Sequence, residues 1–147
     1  MDCGGDVRVG GADVIRVPFA IEVEHPLTRE PIHTLRLRGG AVATSGIAGR
    51  LWRRPDGTFA HHLLDPATGE PAWTGLISAT AVAPTALEAE TRAKAALLSG
   101  PDGARRALAR TGGVVVHDDG DVELIGPLRA APAPRLRVRV APHGSAA

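Results

Sequence analysis

The sequence predicts an α+β fold in which mixed or antiparallel strands flank two helices. Three observations lead to this prediction. Short apolar runs separated by glycine- and proline-containing turns recur along most of the chain, as strands do. An alanine-rich segment at residues 85–99 begins with a capping sequence and is stopped by Gly100-Pro101. The dipeptide Asp119-Gly120 separates two valine-containing runs, which is a strong hairpin signal.

Composition limits what this fold can do. The 147 residues fit one domain, and 17 Lys and Arg against 16 Asp and Glu leave a net charge of +1, which gives no bulk attraction for nucleic acid or an anionic membrane. A single cysteine excludes an internal disulfide framework and a multi-cysteine zinc site. No membrane-spanning stretch or secretory leader is recognisable, so localisation stays unassigned, with the cytoplasm as the default expectation.

Strands are predicted from alternation and from the turns that bound each apolar run. Pro18 makes the predicted strand at 14–23 an edge or bulged strand. The segment at 50–57 is interpreted as a basic, turn-rich connection. The predicted strands up to the first helix lie at residues 7–9, 14–23, 35–37, 41–46, 59–64 and 76–83.

The second half of the chain contains both predicted helices. Thr85 and Glu88 form a capping box that begins the first helix, and Asp102 is expected to cap a second helix that runs to Arg110. A hairpin follows, with strands at 114–117 and 122–125. We predict that residues 1–126 form the folded unit and that 127–147 form a poorly ordered tail, in which 136–140 is the one candidate for a further edge strand.

The first helix carries two charges that the pattern places on its apolar side. At about 100° per residue, one stripe contains Leu87, Glu90, Lys94, Leu97 and Leu98. Buried charges cost several kcal/mol unless they are paired or meet a ligand. Two interpretations stay open: Glu90 and Lys94 neutralise one another or Lys94 reaches water past alanine, or the pair faces a polar cleft where a carboxylate holds a metal or an ammonium meets phosphate.

Other polar motifs are weaker when each is taken alone. Alternation along a strand sends His61 and His62 to opposite faces, and Asp65 begins a tight turn in which its carboxylate has a structural role. The hydroxyls of Thr44 and Ser45 could contact a ligand at a strand end. A triad of Ser45, His62 and Asp65 has no support, because no nucleophile elbow surrounds the serine.

Taken in order, four segments resemble the ApbE family of FAD:protein FMN transferases. The resemblance runs from about Asp2 to about Leu124, and the last two segments carry most of it. The segments are Gly4-Gly5-Asp6-Val7, Ala43-Thr44-Ser45-Gly46, the block from His62 to Gly69, and Thr85-Ala86-Leu87-Glu88-Ala89-Glu90.

The resemblance implies an ApbE-like, T-fold-related domain that binds FAD, uses Mg²⁺ at the pyrophosphate, and transfers FMN to a Thr or Ser hydroxyl of an acceptor flavoprotein. By the same resemblance His62 is the proton acceptor, and Thr44, Ser45 and Gly46 line the flavin site. Glu90 takes the place of a metal-binding Asp, and Lys94 replaces a metal-binding Thr. A charged Lys cannot ligate Mg²⁺ but can contact the FAD phosphates, so the metal requirement is left open.

The matched segments belong to the C-terminal half of the family's domain. We therefore expect an incomplete chain, from a truncated gene model, a split gene or a remnant, whose partners are FAD, an acceptor flavoprotein and a separate N-terminal half chain. One alternative is a non-catalytic flavin-binding module or half-domain that needs an N-terminal partner. Another is a fragment whose small, aromatic-poor core does not fold stably.

Overall fold

A computed structural model describes residues 1–3, 5–10 and 17–130, and it confirms the α+β class. Every strand pairing among these residues is antiparallel. The strands are β1 (Asp2–Cys3), β2 (Asp6–Val9), β3 (Phe19–Glu24), β4 (Pro31–Leu37), β5 (Gly40–Gly46), β6 (Leu51–Arg53), β7 (Phe59–His61), β8 (Leu76–Ala83), β9 (Gly113–His117) and β10 (Val122–Ile125). The helices are α1 (Ala86–Leu98) and α2 (Gly100–Leu108), with 3-10 turns at Ala48–Arg50 and Gly126–Ala130.

One six-stranded sheet organises the described part of the chain. Its strand order is β1-β2-β5-β8-β9-β10, so the helices are inserted between the neighbouring strands β8 and β9. Two further hairpins, β3–β4 and β6–β7, pair separately from this sheet. Asp119 and Gly120 lie in the turn of the predicted β9–β10 hairpin, where Gly120 has a φ of 93°.

The helical layer packs on the central strands through alanine. α1 lies against β5 and β8, and its neighbour α2 packs on α1 and reaches β9. Small side chains on both surfaces let helix and sheet approach closely, and each Ala also favours the helical conformation. The alanines at this interface are Ala41, Ala43, Ala79, Ala81 and Ala83 from the sheet, and Ala89, Ala93 and Ala96 from α1.

The opposite face of the sheet is covered in part by the β3–β4 hairpin. Val23 and Leu35 of the hairpin form a buried cluster with Val42 of β5 and Val114 of β9. Along β4 the buried and exposed positions alternate, as in a strand with one solvent-exposed face, and the strand predicted at residues 35–37 is confirmed. The two faces of the sheet therefore differ: one is closed by alanine against helices, and the other by branched residues against a hairpin.

α1 begins and ends close to where the sequence predicts, but only one half of the capping box forms, because the Glu88 carboxylate accepts from the Thr85 hydroxyl at 3.2 Å rather than from the Thr85 amide. The hydroxyl of Thr85 accepts a hydrogen bond from the amide of Glu88 at 3.2 Å. Gly100 follows the helix with a φ of 68°, a left-handed conformation that a residue with Cβ adopts at a cost. At the same end the hydroxyl of Thr74 donates to the carbonyl of Leu97 at 2.6 Å, which satisfies one of the terminal carbonyls.

Three predicted boundaries are wrong. Leu51–Arg53 forms the strand β6 where a turn-rich connection was expected, because its partner β7 supplies the hydrogen bonds. β7 ends at His61 instead of residue 64. α2 begins directly at Gly100, so Asp102 lies inside its first turn and pairs with Arg105 at 2.8 Å instead of capping the helix.

Two expectations for the terminal regions cannot be compared with the structure. Residues 14–16 of the predicted 14–23 strand and the candidate strand at 136–140 lie outside the described residues. Among the residues that the structure describes, no helix is long and apolar enough to cross a membrane.

Candidate functional site

The buried face of α1 differs from the stripe that the sequence predicts. Its buried residues are Ala89, Ala93, Ala96 and Leu97, whereas Leu87 is 77% exposed. At about 100° per residue, this face is rotated from the predicted stripe by about a quarter of a turn. The prediction followed the leucines, but the sheet presents alanines that only small helical side chains can approach closely.

Glu90 and Lys94 consequently lie at the edge of the buried face rather than inside it. Their side chains are 39% and 47% exposed, and Lys94 Nζ lies 2.8 Å from Glu90 Oε1. The two charges therefore neutralise one another, which was the first of the two interpretations. Because the pair is partly exposed to solvent, it avoids the cost of deep burial. The pair belongs to the side of α1 that approaches β2, because both charges act on Asp6 of that strand.

Asp6 belongs to this charged group, although sequence reasoning does not single it out as a site residue. Its half-buried carboxylate accepts a hydrogen bond from the Thr44 amide. Burial, followed by the negative charge of Glu90, raises the pKa of Asp6, and the Thr44 amide and Lys94 oppose this rise. The sequence signal for Asp6 was its place in the Gly4-Gly5-Asp6 segment. No spacing rule connects Asp6 with Glu90, which lies more than 80 residues further along the chain.

The cluster of Asp6, Glu90 and Lys94 does not offer the oxygen donors that a Mg²⁺ site needs. Mg²⁺ prefers six oxygen ligands in octahedral geometry. One oxygen of Glu90, Oε1, is paired with the Lys94 ammonium, which has no lone pair to donate. Among the described residues, no three His, Cys, Asp or Glu side chains are grouped so that they could hold a metal ion.

Thr44, Ser45 and Gly46 form the end of β5, as predicted, but their side chains do not share one face. Thr44 is opposite Thr80, and their hydroxyls lie 2.9 Å apart on the sheet face away from the helices. Ser45 is buried and pairs with Ala79, which packs against the helices. Alternation along a strand separates the two hydroxyls that the motif had grouped.

A cavity among the described residues lies on the face that carries Thr44. It has a volume of about 990 Å³ and is lined by Thr44, Gly46, Val42 and residues of β2 and β3. Ser45, His62, Glu90 and Lys94 do not line it. The cavity and the charged cluster are therefore separated by the sheet.

His61 and His62 differ in burial, and the exposed one is the family-matched histidine. His61 is fully buried, its ring packs edge-on against Trp73 at 4.5 Å, and its Nδ1 accepts from the Leu63 amide at 3.3 Å. Burial, followed by the neighbouring charge of His62, lowers the pKa of His61, and the Ala72 backbone opposes this. The His62 side chain is exposed and accessible to a reactant.

The turn after His62 is structural, as predicted. Asp65 Oδ1 accepts the Ala67 amide at 2.8 Å, and the Asp65 carbonyl accepts the Gly69 amide at 2.8 Å. Gly69 has a φ of 72°, which completes the reversal of the chain. No hydrogen bond or ion pair within the described ranges joins His62 to Ser45, Glu90 or Lys94, so the structure brings together the charged cluster but not all predicted site residues.

Comparison with known sequences identifies relatives over most of this chain. The model of the ApbE family matches residues 1–117. The FAD:protein FMN transferase of Escherichia coli K12 is 31% identical over 111 residues, which cover 74% of this chain and 31% of that protein. The enzyme of the same name from Klebsiella pneumoniae is 33% identical over 114 residues, covering 72% and 32%. The chain thus spans about a third of the length of these relatives.

Solved structures agree with the sequence comparison. An ApbE protein from Thermotoga maritima has a TM-score of 0.74 and 32% identity, and the match covers 87% of this chain and 42% of that one. The apo flavinyl transferase ApbE of Pseudomonas stutzeri has a TM-score of 0.66 at 24% identity, covering 84% and 40%, which is a likeness of fold. From the family match and the shared fold we conclude that the chain belongs to the ApbE family.

Proposed function

We propose that this chain contributes to transfer of FMN from FAD to a Thr or Ser hydroxyl of an acceptor flavoprotein. One observation carries the proposal. The part of the chain that matches the family model includes both the exposed His62 and the charged edge of α1, and the matched relatives are named FAD:protein FMN transferase. The acceptor flavoprotein and FAD are the partners that this activity requires. Because the chain spans about a third of those relatives, we propose that activity needs a second chain that supplies the rest of the domain.

The reaction would proceed by attack on the phosphorus atom of the FMN portion of FAD. The acceptor hydroxyl oxygen forms a bond to this phosphorus, the bond from phosphorus to the bridging oxygen breaks, and AMP leaves with the electron pair. His62 takes the proton of the attacking hydroxyl, a role that its exposed ring permits. Negative charge develops on the phosphoryl oxygens, so a nearby cation stabilises the transition state.

We assign the remaining predicted residues as follows. The Lys94 ammonium contacts the phosphate oxygens, and Glu90 holds that ammonium in place. We propose that the end of β5 borders the flavin through Thr44 and Gly46, which line the cavity, while the buried Ser45 lies on the helix side of the strand and is not placed against the flavin. Glu90 was expected to bind a metal, but its pairing with Lys94 leaves Mg²⁺ without a ligand set, so no step of the proposal uses Mg²⁺.

The experiment is a flavinylation assay with the full chain, FAD and an acceptor protein, with and without a chain that supplies the missing part of the domain. We expect a covalent, fluorescent acceptor band only when both chains are present. His62→Ala should lower the rate by a factor of about 10²–10⁴, because the general base is lost. His25→Asn is the matched control and should have little effect, since it removes an imidazole in the turn between β3 and β4 but keeps an acceptor for the Leu27 and Thr28 amides that donate to His25 Nδ1.

A second candidate is a flavin-binding module without chemistry. The replacement of a metal-binding hydroxyl by Lys94 favours it, because one positive charge neutralises a pyrophosphate less well than two. Fluorescence titration of FAD with the two-chain assembly separates the candidates. Flavin binding without AMP release or acceptor labelling would support the module and contradict the transferase.

A further inference from the structure

Three charged groups from two elements lie near one another at the edge of α1: the ion pair of Glu90 and Lys94, and Asp6 of β2. Glu90 and Lys94 are one turn apart on α1, with Lys94 Nζ 2.8 Å from Glu90 Oε1. The charges of both side chains act on the carboxyl group of Asp6 at the start of β2. The Asp6 carboxylate is in turn bonded to the Thr44 amide, which fixes it against the sheet. The Lys94 ammonium is therefore paired with the Glu90 carboxylate, and the Asp6 carboxyl group is near enough for both charges to act on it.

A tethered ammonium competes well with a dissolved divalent ion for such carboxylates. Lys94 is attached to the same helix as Glu90, so their pairing is intramolecular and does not depend on concentration. Mg²⁺ gives up its hydration water reluctantly and needs several correctly placed oxygen atoms in exchange. A protonated Lys donates no oxygen and repels the approaching ion.

We infer that the Lys94 ammonium takes the place of a divalent cation in this chain, so that the site binds phosphate oxygens without binding Mg²⁺. This inference rests on the proposed function in that the same position would receive the FAD pyrophosphate. In the part of the chain that the structure describes, Glu90 is the recorded hydrogen-bond partner of Lys94, which leaves two of its three N–H groups to donate to an anion. Substituting an oxygen-bearing side chain for Lys94 should turn the position into a metal site.

The test measures Mn²⁺ binding by electron paramagnetic resonance with the full chain in the absence of FAD and acceptor. Mn²⁺ accepts the same oxygen ligands as Mg²⁺ and has a measurable signal. We expect the native chain to show no saturable site, and Lys94→Thr to bind Mn²⁺ at least tenfold more tightly, with Mg²⁺ as a competitor. The double variant Glu90→Gln/Lys94→Thr should lose this gain, because the carboxylate ligand is removed.

Arg54→Thr is the matched control. It removes the cation of another exposed ion pair, Arg54 with Glu70 at 2.9 Å, and should create no Mn²⁺ site. Circular dichroism establishes that each variant is folded, and Lys94→Met supplies a second variant that removes the ammonium without adding an oxygen atom and should bind Mn²⁺ less tightly than Lys94→Thr.

Two results would overturn the inference. One is a native chain that binds Mn²⁺ as tightly as Lys94→Thr and releases it to Mg²⁺. The other is a folded Lys94→Thr variant without a Mn²⁺ site, because the ammonium would then not be what excludes the ion. Since no flavin or acceptor is used, failure of FMN transfer alone would contradict the proposed function and leave this result unchanged.

Discussion

Two buried histidines, His33 of β4 and His61 of β7, give the folded state a dependence on pH. His33 is 5% exposed and its Nδ1 has no hydrogen-bond partner in the described residues, while His61 is fully buried. Burial is the main cause that lowers the pKa of both, so each binds a proton more readily in the unfolded chain. The unfolded state therefore takes up protons first as the pH falls.

We predict that the free energy of unfolding decreases as the pH drops from 7.5 to 5.5. The sign follows from linkage: stability rises with pH wherever the unfolded state binds more protons, by about 1.4 kcal/mol per pH unit for each proton. Asp6, whose pKa is raised, acts in the opposite direction, since its contribution is lost as the pH rises through its folded pKa.

Urea denaturation of the native chain and of His33→Leu/His61→Leu checks this prediction. The double variant should lose most of the pH dependence between 7.5 and 5.5, because the groups that titrate differently are gone. His62→Leu is the comparison variant and should retain most of the native slope, since the His62 side chain is exposed and its charge is only the second cause of the lowered pKa of His61. An unchanged slope in the double variant would mean that other groups cause the dependence.

At the scale of elements, the sequence predicts where α1 begins and ends but not which side it buries. Thr85, Glu88 and Gly100 act through local geometry, which the sequence contains directly. The choice of face depends on the alanines of β5 and β8, which a helical pattern considered alone does not include. Leu87 was assigned to the core because it is the larger apolar residue, and it is exposed because the sheet approaches too closely to admit it.

The break between α1 and α2 depends on Gly100. Its φ of 68° allows the chain to change direction, and a Cβ at this position would lie 3.2 Å from the Thr74 carbonyl oxygen. We predict that Gly100→Ala lowers the free energy of unfolding by about 1–2 kcal/mol, through the left-handed backbone and the close contact. Chemical denaturation measures the change.

Gly49→Ala serves as the control for this substitution. Nothing lies within 4 Å of a Cβ built on Gly49, and its φ is not in the left-handed range, so the stability should change by less than about 0.5 kcal/mol. An equal rise in the free energy of unfolding for both variants would contradict the prediction. It would show that the reduced flexibility of the unfolded chain, rather than strain in the folded state, determines the outcome.

For the whole molecule, the sequence predicts the α+β class and the order of segments, because most strands are local and bounded by clear turns. It could not predict that the charges of Glu90 and Lys94 act on Asp6, since this proximity depends on β2 pairing with β5 under the helix layer. Nor could it predict that Thr44 and Ser45 serve different faces without the register of β5 against β8. The site is thus a product of topology, while the elements are products of local sequence.

The segment from residue 51 to 73 has an apolar exposed surface. It exposes five large apolar side chains, by 45% to 56% each, an unusual density for a surface that faces only water. These residues are Leu51, Trp52, Phe59, Leu64 and Trp73. Because the matched Thermotoga maritima protein is covered only to 42%, we expect a chain that supplies the remaining part of the domain to cover this surface.

We predict that adding such a complementing chain shifts the tryptophan emission of this protein to shorter wavelength. Its two tryptophans, Trp52 and Trp73, are 50% and 56% exposed, so loss of water around their indole rings is directly visible. The complementing chain should carry Phe in place of its own tryptophans, so that the signal comes from this chain alone. Trp52→Phe and Trp73→Phe then assign the shift to one ring or both. Formation of a complex in size-exclusion chromatography without any shift would show that the partner binds elsewhere, and that the exposed apolar segment has another cause.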